Sequence, residues 1–229
     1  MEFCEHTLRN GLEVVAECNG QAHSMALGFF VRTGSRDETD GVAGVSHFLE
    51  HMTFKGTPTR SADDVNREFD KMGAYYNAFT NEEHTVYFAA VLPEFQGRAV
   101  ELLGDILRPS LRQEDFETEK KVILEEIRMY EDQPPFGADE KCKAAHYGSH
   151  PLGRSVLGTI QSITDLPVEA MRDYFRRRYV PGNVTLAAAG RIDFDALVKT
   201  AGRCCGSWEP VEAGRPLGEA SPQHVLQGL

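Results

Sequence analysis

The stretch GVSHFLEHMTFKGT, residues 44–57, carries two histidines four positions apart and a glutamate directly before the second. Each helical residue advances about 100°, so on a helix His47, Glu50 and His51 share one face, opposite an apolar stripe. That stripe consists of Val42, Val45, Phe48, Leu49 and Met52. Two histidines at this spacing can direct their imidazole nitrogens to one metal ion at about 2.0–2.1 Å. An amphipathic helix with a solvated polar face gives the same pattern, so the stretch alone leaves both interpretations open.

A second helix, predicted over residues 113–132, supplies a candidate third ligand. Its predicted apolar arc contains Val122, Ile123, Ile127, Met129 and Tyr130. Glu119 and Glu126 fall inside that arc, whereas Glu117 and Glu125 lie on the opposite side and are expected to face water. Buried carboxylates are costly without a positive partner. A metal ion with its histidines would provide one, and so would an arginine or lysine from elsewhere in the chain.

Another histidine pair has the same spacing but a different context. His146 and His150 also stand four residues apart. Gly148 and Pro151 are expected to interrupt a helix there, because glycine weakens a helix and proline cannot continue one. We therefore expect a loop at this place rather than a second metal site.

The overall composition is that of an ordinary globular protein, with 41% of the 229 residues apolar and 26% charged. No apolar run approaches the roughly 18 residues that a membrane-spanning helix needs, so no membrane association is expected. With 24 basic and 35 acidic residues, the net charge of −11 disfavours binding to nucleic acid. The basic run FRRRY, residues 175–179, is interpreted as a solvated helix face.

Cysteine usage and the first residues bear on the cellular compartment. The sequence contains Cys4, Cys18, Cys142, Cys204 and Cys205. This odd number without a CxxC pair predicts free thiols. The chain shows no basic segment followed by an apolar one, as a secretory signal would. The pattern favours a cytoplasmic location and leaves the periplasm or an organelle open.

The predicted elements are hairpins of strands with helices inserted between them. Asn10 and Gly11 mark one tight turn, and residues 81–83 mark another between two runs rich in aromatic and β-branched residues. Further strands are predicted at about 24–33 and 183–189, and helices at about 42–54, 61–72, 93–107, 113–132, 167–179 and 194–202. This order favours an α+β fold, with a largely antiparallel sheet packed against helices. Residues 1–208 are predicted to form one domain, and residues 209–229 a linker.

These residues also carry a resemblance to a known family. The HxxEH stretch, followed by Glu126 within EKKVILEE, resembles the inverted-motif zinc peptidases, the family of pitrilysin, insulysin and mitochondrial processing peptidase. Further segments resemble that family in the same order: TLRNGLEVV, GSRDE, NAFTNEEHTVYF, HPLGRSVLGT and YVPGNVTLAAAG. The resemblance covers nearly the whole chain. It implies one half-unit of the processing-peptidase-like metallopeptidase fold.

The resemblance implies a zinc metalloendopeptidase domain with one Zn²⁺ per chain. His47, His51 and Glu126 match the family's zinc ligands, and Glu50 matches the general base that takes a proton from the attacking water. Glu119 matches a second acidic position, which supports the site without binding the metal.

The segment YYNAFT resembles the family's edge strand, which accepts an extended peptide substrate as an added strand. Asn77, Ala78 and Thr80 are then expected to line the substrate track. A core hairpin would satisfy the composition of this segment equally well.

Members of this family contain two such halves, in one chain or as separate polypeptides. Residues 209–229 are therefore expected to include the start of a second homologous domain, and a partner half, in a homodimer or heterodimer, is expected to be needed for full activity. The second half of the family supplies an arginine and tyrosine pair that has no counterpart in this sequence. Two other interpretations stay open: a noncatalytic assembly subunit of the same fold, and a structural zinc domain, for which no well-spaced fourth ligand is present.

Overall fold

The computed structural model describes residues 1–131 and 134–214. Its centre is one six-stranded sheet with the order β1-β2-β6-β3-β5-β4. The strands are β1 (Glu2–Thr7), β2 (Glu13–Cys18), β3 (Met25–Val31), β4 (Tyr75–Thr80), β5 (Thr85–Val91) and β6 (Val184–Gly190). All neighbouring pairs are antiparallel except β2 and β6, which run parallel. The predicted α+β class with a largely antiparallel sheet is confirmed.

Eight helices accompany this sheet within the described residues. They are α1 (Val45–Thr53), α2 (Ala62–Lys71), α3 (Gln96–Ile106), α4 (Gln113–Glu131), α5 (Pro134–Tyr147), α6 (Ile160–Asp165), α7 (Val168–Arg178) and α8 (Phe194–Cys205). The sequence predicted all of them except α5 and α6. The loop predicted for the second histidine pair is wrong for His146, which lies in α5, whereas His150 lies beyond the end of that helix.

One face of the sheet forms the core with the helices. Because successive strand residues point to opposite faces, the register aligns Val14, Leu186, Phe29, Tyr87 and Ala78 across five strands. All five are buried. Burial of this continuous apolar row against the helices is the main source of the fold's stability, at about 25 cal/mol per Å² of apolar surface.

The opposite face of the sheet carries a group of partly exposed aromatic residues. Tyr75, Phe79 and Phe30 expose 68%, 46% and 37% of their surface. Phe88 lies between the first two, with ring centroids 6.1 Å from Tyr75 and 6.4 Å from Phe79. We call these four aromatic residues the outer patch.

Several local predictions need correction. Val122 and Met129 are exposed, so the apolar arc of α4 is narrower than its composition indicated and contains chiefly Ile123 and Ile127. The solvated-face interpretation of residues 175–179 is wrong for Arg178, which is buried against Asp37 with a nitrogen–oxygen distance of 2.8 Å. A helical wheel drawn from the sequence of one helix cannot show which side of that helix the neighbouring elements leave exposed to solvent.

The structure also bears on other expectations where it describes the chain. All five cysteines are free. Among the residues described, no helix combines the length and hydropathy that crossing a bilayer requires. Residues 209–214 belong to no helix or strand. The remaining linker positions, 215–229, lie outside the described residues, so the predicted domain boundary stays a prediction.

Candidate metal centre

Three side chains from two helices converge at the predicted site. His47 and His51 extend from α1, Glu126 extends from α4, and one ligand atom from each lies within 4.8 Å of the others. The Nε2 atoms of His47 and His51 lie 3.7 and 3.5 Å from Oε2 of Glu126. Ligand atoms held at about 2.0–2.1 Å by a tetrahedral zinc ion are roughly 3.3–3.4 Å apart. The two distances to Glu126 are close to this value, and the three side chains are of the kinds that bind zinc.

The ionisation of these groups suits metal binding. Burial, followed by the positive charge of His51, lowers the pKa of His47 to about 3, so this ring is neutral and keeps a lone pair for a metal. Burial also raises the pKa of Glu126, because the charged carboxylate is poorly solvated. Within the described chain, Nδ1 of His47 is the buried side-chain polar atom that lacks a hydrogen-bond partner. A dication would stabilise the neutral ring and the charged carboxylate together.

The second carboxylate of α4 has a different environment. Oε2 of Glu119 lies 3.2 Å from Nδ1 of His51, and Oε1 lies 2.7 Å from Nζ of Lys55. Glu119 thus has the basic partner of one sequence interpretation, and the metal interpretation concerns Glu126 alone. Glu119 is matched by a lysine, whereas Glu126 faces the two histidines.

Glu50 lies on α1 between the two histidines and lines the same cavity as His47 and Glu126, which has a volume of about 660 Å³. The hydroxyl of Thr80 donates a hydrogen bond of 2.6 Å to Oε2 of Glu50. Burial raises the pKa of Glu50, and the hydrogen bond from Thr80 opposes that shift. A carboxylate with a raised pKa beside a metal site can accept a proton from water near neutral pH.

The start of α1 is fixed by a residue that the sequence analysis did not single out. Glu38 is buried, and its carboxylate accepts hydrogen bonds from the backbone N–H groups of Gly44, at 2.7 Å, and Ser46, at 2.8 Å. Gly44 has φ = 90°, and a Cβ there would lie 2.6 Å from the carbonyl oxygen of Leu157. Only glycine fits this entry into α1. Burial raises the pKa of Glu38 to about 7, although the hydrogen bonds from the two backbone N–H groups act to lower it.

Two of the three predicted substrate-track residues face the site. Strand β4 is at the edge of the sheet. Ala78 and Thr80 line the cavity, whereas Asn77 is exposed and, by the alternation of the strand, belongs to the opposite face. Oδ1 of Asn77 accepts a hydrogen bond of 2.9 Å from the backbone N–H of Ala78. That N–H therefore has a local partner in the absence of an added strand.

The cavity also has a wall that the sequence did not predict. Lys143 of α5 lines it and is held by Glu82 and Asp139, with Nζ 2.8 and 2.9 Å from their carboxylate oxygens. These contacts raise the pKa of Lys143, so it stays charged. The sequence does not indicate the contact between Lys143 and Glu82, because Glu82 lies in the β4–β5 turn, 61 positions before Lys143.

With this geometry established, comparison with known proteins gives the class. Residues 13–160 match the family described as Insulinase (Peptidase family M16), and residues 165–228 match the Peptidase M16 inactive domain. The chain belongs to peptidase family M16, which confirms the predicted pitrilysin-like family.

Individual relatives agree with this assignment. The chain is 39% identical over 225 residues to the uncharacterized zinc protease YmxG of Bacillus subtilis, covering 98% of this chain and 54% of the relative. It is 36% identical over 223 residues to the mitochondrial-processing peptidase subunit beta of Neurospora crassa, covering 96% and 47%. A protease from Helicobacter pylori has the same fold, with a TM-score of 0.88 and 23% identity over 93% of this chain and 52% of its own. The chain thus spans about half the length of the curated relatives it matches.

Proposed function

We propose that this chain is the zinc-binding half of a metalloendopeptidase that hydrolyses peptide bonds in extended peptides. The observation that carries the proposal is the convergence of His47, His51 and Glu126 beside the carboxylate of Glu50 in one cavity. These three residues would hold one Zn²⁺, and the names of the curated relatives as zinc proteases support that metal. When bound, zinc supplies a Lewis acid that polarises the peptide carbonyl and acidifies water.

The protein's own groups provide the proton transfers. Glu50 accepts a proton from the attacking water and later delivers it to the leaving amine. The Thr80 hydroxyl, 2.6 Å from Oε2 of Glu50, restricts the rotation of this carboxylate. His47, buried and neutral, gives the site one ligand without adding positive charge.

The substrate is proposed to bind as an added strand on the free edge of β4. Backbone pairing of this kind selects extended peptides rather than folded proteins. Ala78 and Thr80 face the cavity, so the peptide would cross it there. The side chain of Asn77 accepts a hydrogen bond from the N–H of Ala78, and a carbonyl of the incoming peptide would replace it as the acceptor.

A second homologous half is proposed to complete the enzyme, in a homodimer or a heterodimer. The chain covers 54% of one relative and 47% of another, which leaves room for such a half in both. Among the described surfaces, the outer patch suits contact with this second half, because burial of exposed apolar residues is favourable.

Glu50→Gln tests the proposal, with zinc content and cleavage of a fluorogenic extended peptide as readouts in the complete two-half assembly. We expect unchanged zinc and a loss of hydrolysis of at least about 100-fold, the usual contribution of a general base. The control is Glu125→Gln on the exposed side of α4, which should match the parent. Undiminished hydrolysis by Glu50→Gln would exclude Glu50 as the base. An assembly without zinc or hydrolysis in the parent would favour the noncatalytic subunit.

A further inference from the structure

Lys55 connects the two helices that carry the candidate ligands. Its backbone N–H donates to the carbonyl of Met52 in α1, at 3.1 Å. Its backbone carbonyl accepts a hydrogen bond of 2.9 Å from the guanidinium of Arg112, directly before α4. The backbone of Lys55 is therefore held at both helices, which limits the positions that its side chain can reach.

The side chain of Lys55 extends to the buried carboxylate behind His51. Nζ lies 2.7 Å from Oε1 of Glu119, whose side chain is only 5% exposed. The other oxygen of Glu119 lies 3.2 Å from Nδ1 of His51. A buried carboxylate with only a neutral imidazole for a partner would be poorly compensated. Lys55 supplies the positive charge beside Glu119, and its side chain is 37% exposed, so it is itself partly solvated.

This chain of contacts determines which nitrogen of His51 is available. A charged Glu119 accepts the hydrogen on Nδ1, which leaves the lone pair on Nε2. Nε2 is the atom that faces Glu126, at 3.5 Å. A Glu119 without its cation would be a weaker acceptor, and the hydrogen of His51 could then reside on Nε2, where it blocks the ligand position.

We propose that Lys55 is a positioning residue that acts through Glu119 to keep Nε2 of His51 free for the metal. The inference rests on the proposed zinc site, but it concerns a property of the metal-free protein as well. Lys55 touches neither a ligand atom nor the general base in this arrangement. Its effect is expected on zinc affinity and on the His51 tautomer, rather than on Glu50.

The test compares Lys55→Met, Lys55→Arg and Glu119→Gln with the double variant Lys55→Met/Glu119→Gln. A matched control is Lys71→Met, which removes another lysine paired with a glutamate, Glu68, at 2.9 Å on α2. Two quantities are measured on the purified chain: the dissociation constant for zinc, by competition with a chromophoric chelator, and the His51 tautomer, from the ¹⁵N shifts of the ring in metal-free protein.

We expect Lys55→Met to weaken zinc binding about 10- to 100-fold, the usual effect of losing an outer partner of a ligand. Lys55→Arg should restore most of the affinity, and Lys71→Met should equal the parent. The double variant should bind zinc no more weakly than Glu119→Gln alone, because Lys55 acts through Glu119. In the metal-free protein, Lys55→Met should shift His51 toward the tautomer with hydrogen on Nε2.

Two results would overturn the inference: zinc affinity of Lys55→Met within twofold of the parent, or losses that add fully in the double variant. If Lys55→Met does not fold, judged by circular dichroism, Lys55→Gln replaces it with the same expectations. A parent that binds zinc neither as the purified chain nor in the two-half assembly would refute the proposed function instead. The tautomer measurement still decides the inference in that case, since an unchanged His51 tautomer in the lysine variant would exclude the role of Lys55.

Discussion

Two glutamates on one stripe of α4 have different environments, because they face different residues. Glu119 and Glu126 are seven positions apart on α4. Glu119 has a side chain 5% exposed and is paired with Lys55, whereas Glu126 has a side chain 23% exposed and faces two histidine nitrogens. Glu119, which is paired with a lysine, is suited to support the site. Glu126 has no lysine or arginine contact among the described ion pairs and is suited to bind a metal.

This difference predicts the effect of removing the carboxylate that faces the histidines. Glu126→Ala should weaken zinc binding by at least about 100-fold, because a three-residue site would lose one of its protein ligands. The measurement is zinc per chain by elemental analysis after dialysis against a weak chelator. Glu125→Ala is the matched control, since its side chain is 72% exposed. Equal zinc in the two variants would contradict the assignment of Glu126 as a ligand.

Glu38 predicts a pH dependence of stability. Its pKa is raised from 4.5 to about 7 in the folded protein by burial. The folded state then binds more protons than the unfolded state between these values, so the contribution of Glu38 to stability is full below about pH 4.5 and is lost as the pH rises to 7. Relative to Glu38→Gln, the parent should lose on the order of 3 kcal/mol of unfolding free energy over that range.

Urea denaturation of zinc-free parent and Glu38→Gln at several pH values checks this prediction. Other ionisable groups are common to both proteins, so only the difference between the two curves reports on Glu38. Glu117→Gln, an exposed position on α4, is the control and should follow the parent at every pH. A difference between parent and Glu38→Gln that stays constant from pH 4.5 to 7 would contradict the raised pKa.

At the residue scale, sequence predicts which side chains share a face but not which distant group they meet. The spacing of His47, Glu50 and His51 placed all three on one side of α1, and the structure brings His47 and His51 together with Glu126. The role of Lys55 was not predicted, because Lys55 and Glu119 are separated by a hairpin and two helices in the chain. Glu38 ends the segment GSRDE, and no local pattern indicates that its carboxylate bonds to the start of α1.

At the scale of elements, the site depends on how α1 packs against α4. The rings of Phe48 and Phe116 are stacked with centroids 4.7 Å apart and an interplanar angle of 1°. Both residues are completely or almost completely buried. Because the candidate ligands come from both helices, this aromatic contact fixes the separation of His47 and His51 from Glu126.

Phe116→Ala should therefore reduce both stability and zinc affinity. Loss of a buried phenylalanine typically costs about 3–5 kcal/mol. The cavity left behind would also let α4 shift relative to α1, so zinc should bind at least several-fold more weakly. Urea denaturation and chelator competition measure the two effects. Val122→Ala, exposed on the same helix, is the control and should change neither. Parent-like zinc affinity in a destabilised Phe116→Ala would show that the contact supports only the fold.

The elements that sequence missed have a common physical cause. Helix α5 begins at Pro134 and contains Gly137. Proline and glycine indicate a loop when they are read locally, yet proline is well tolerated in the first turn of a helix, where its missing N–H has no helical partner. Helix α6, Ile160–Asp165, has only six residues, too few for a periodic pattern. The parallel pairing of β2 with β6 joins strands more than 160 positions apart, which no local signal specifies.

At the scale of the whole molecule, the described helices bury one face of the sheet and leave aromatic residues of the other face partly exposed. The helix-side face buries Val14, Phe29, Tyr87 and Leu186, whereas the outer patch leaves large aromatic surface in contact with water. Leaving such surface exposed forgoes about 25 cal/mol per Å². A contiguous apolar patch on an otherwise acidic chain is typical of a protein–protein contact. The coverage of about half of each relative supports the proposal that a second half is the partner.

Phe30→Lys tests that contact, because Phe30 lies on β3 within the outer patch and is already 37% exposed. The substitution should leave the circular dichroism spectrum and zinc content near those of the parent, since the helix-side core and the ligands lie on the other face. Association should weaken at least about 10-fold, because a charge would be buried without a partner. Sedimentation measures it for the chain alone and for the chain mixed with the part of YmxG that it does not match. Val122→Lys, exposed in the helical layer, is the control. If Phe30→Lys associates as tightly as the parent in both mixtures, the second half binds elsewhere, and the outer patch is not its contact surface.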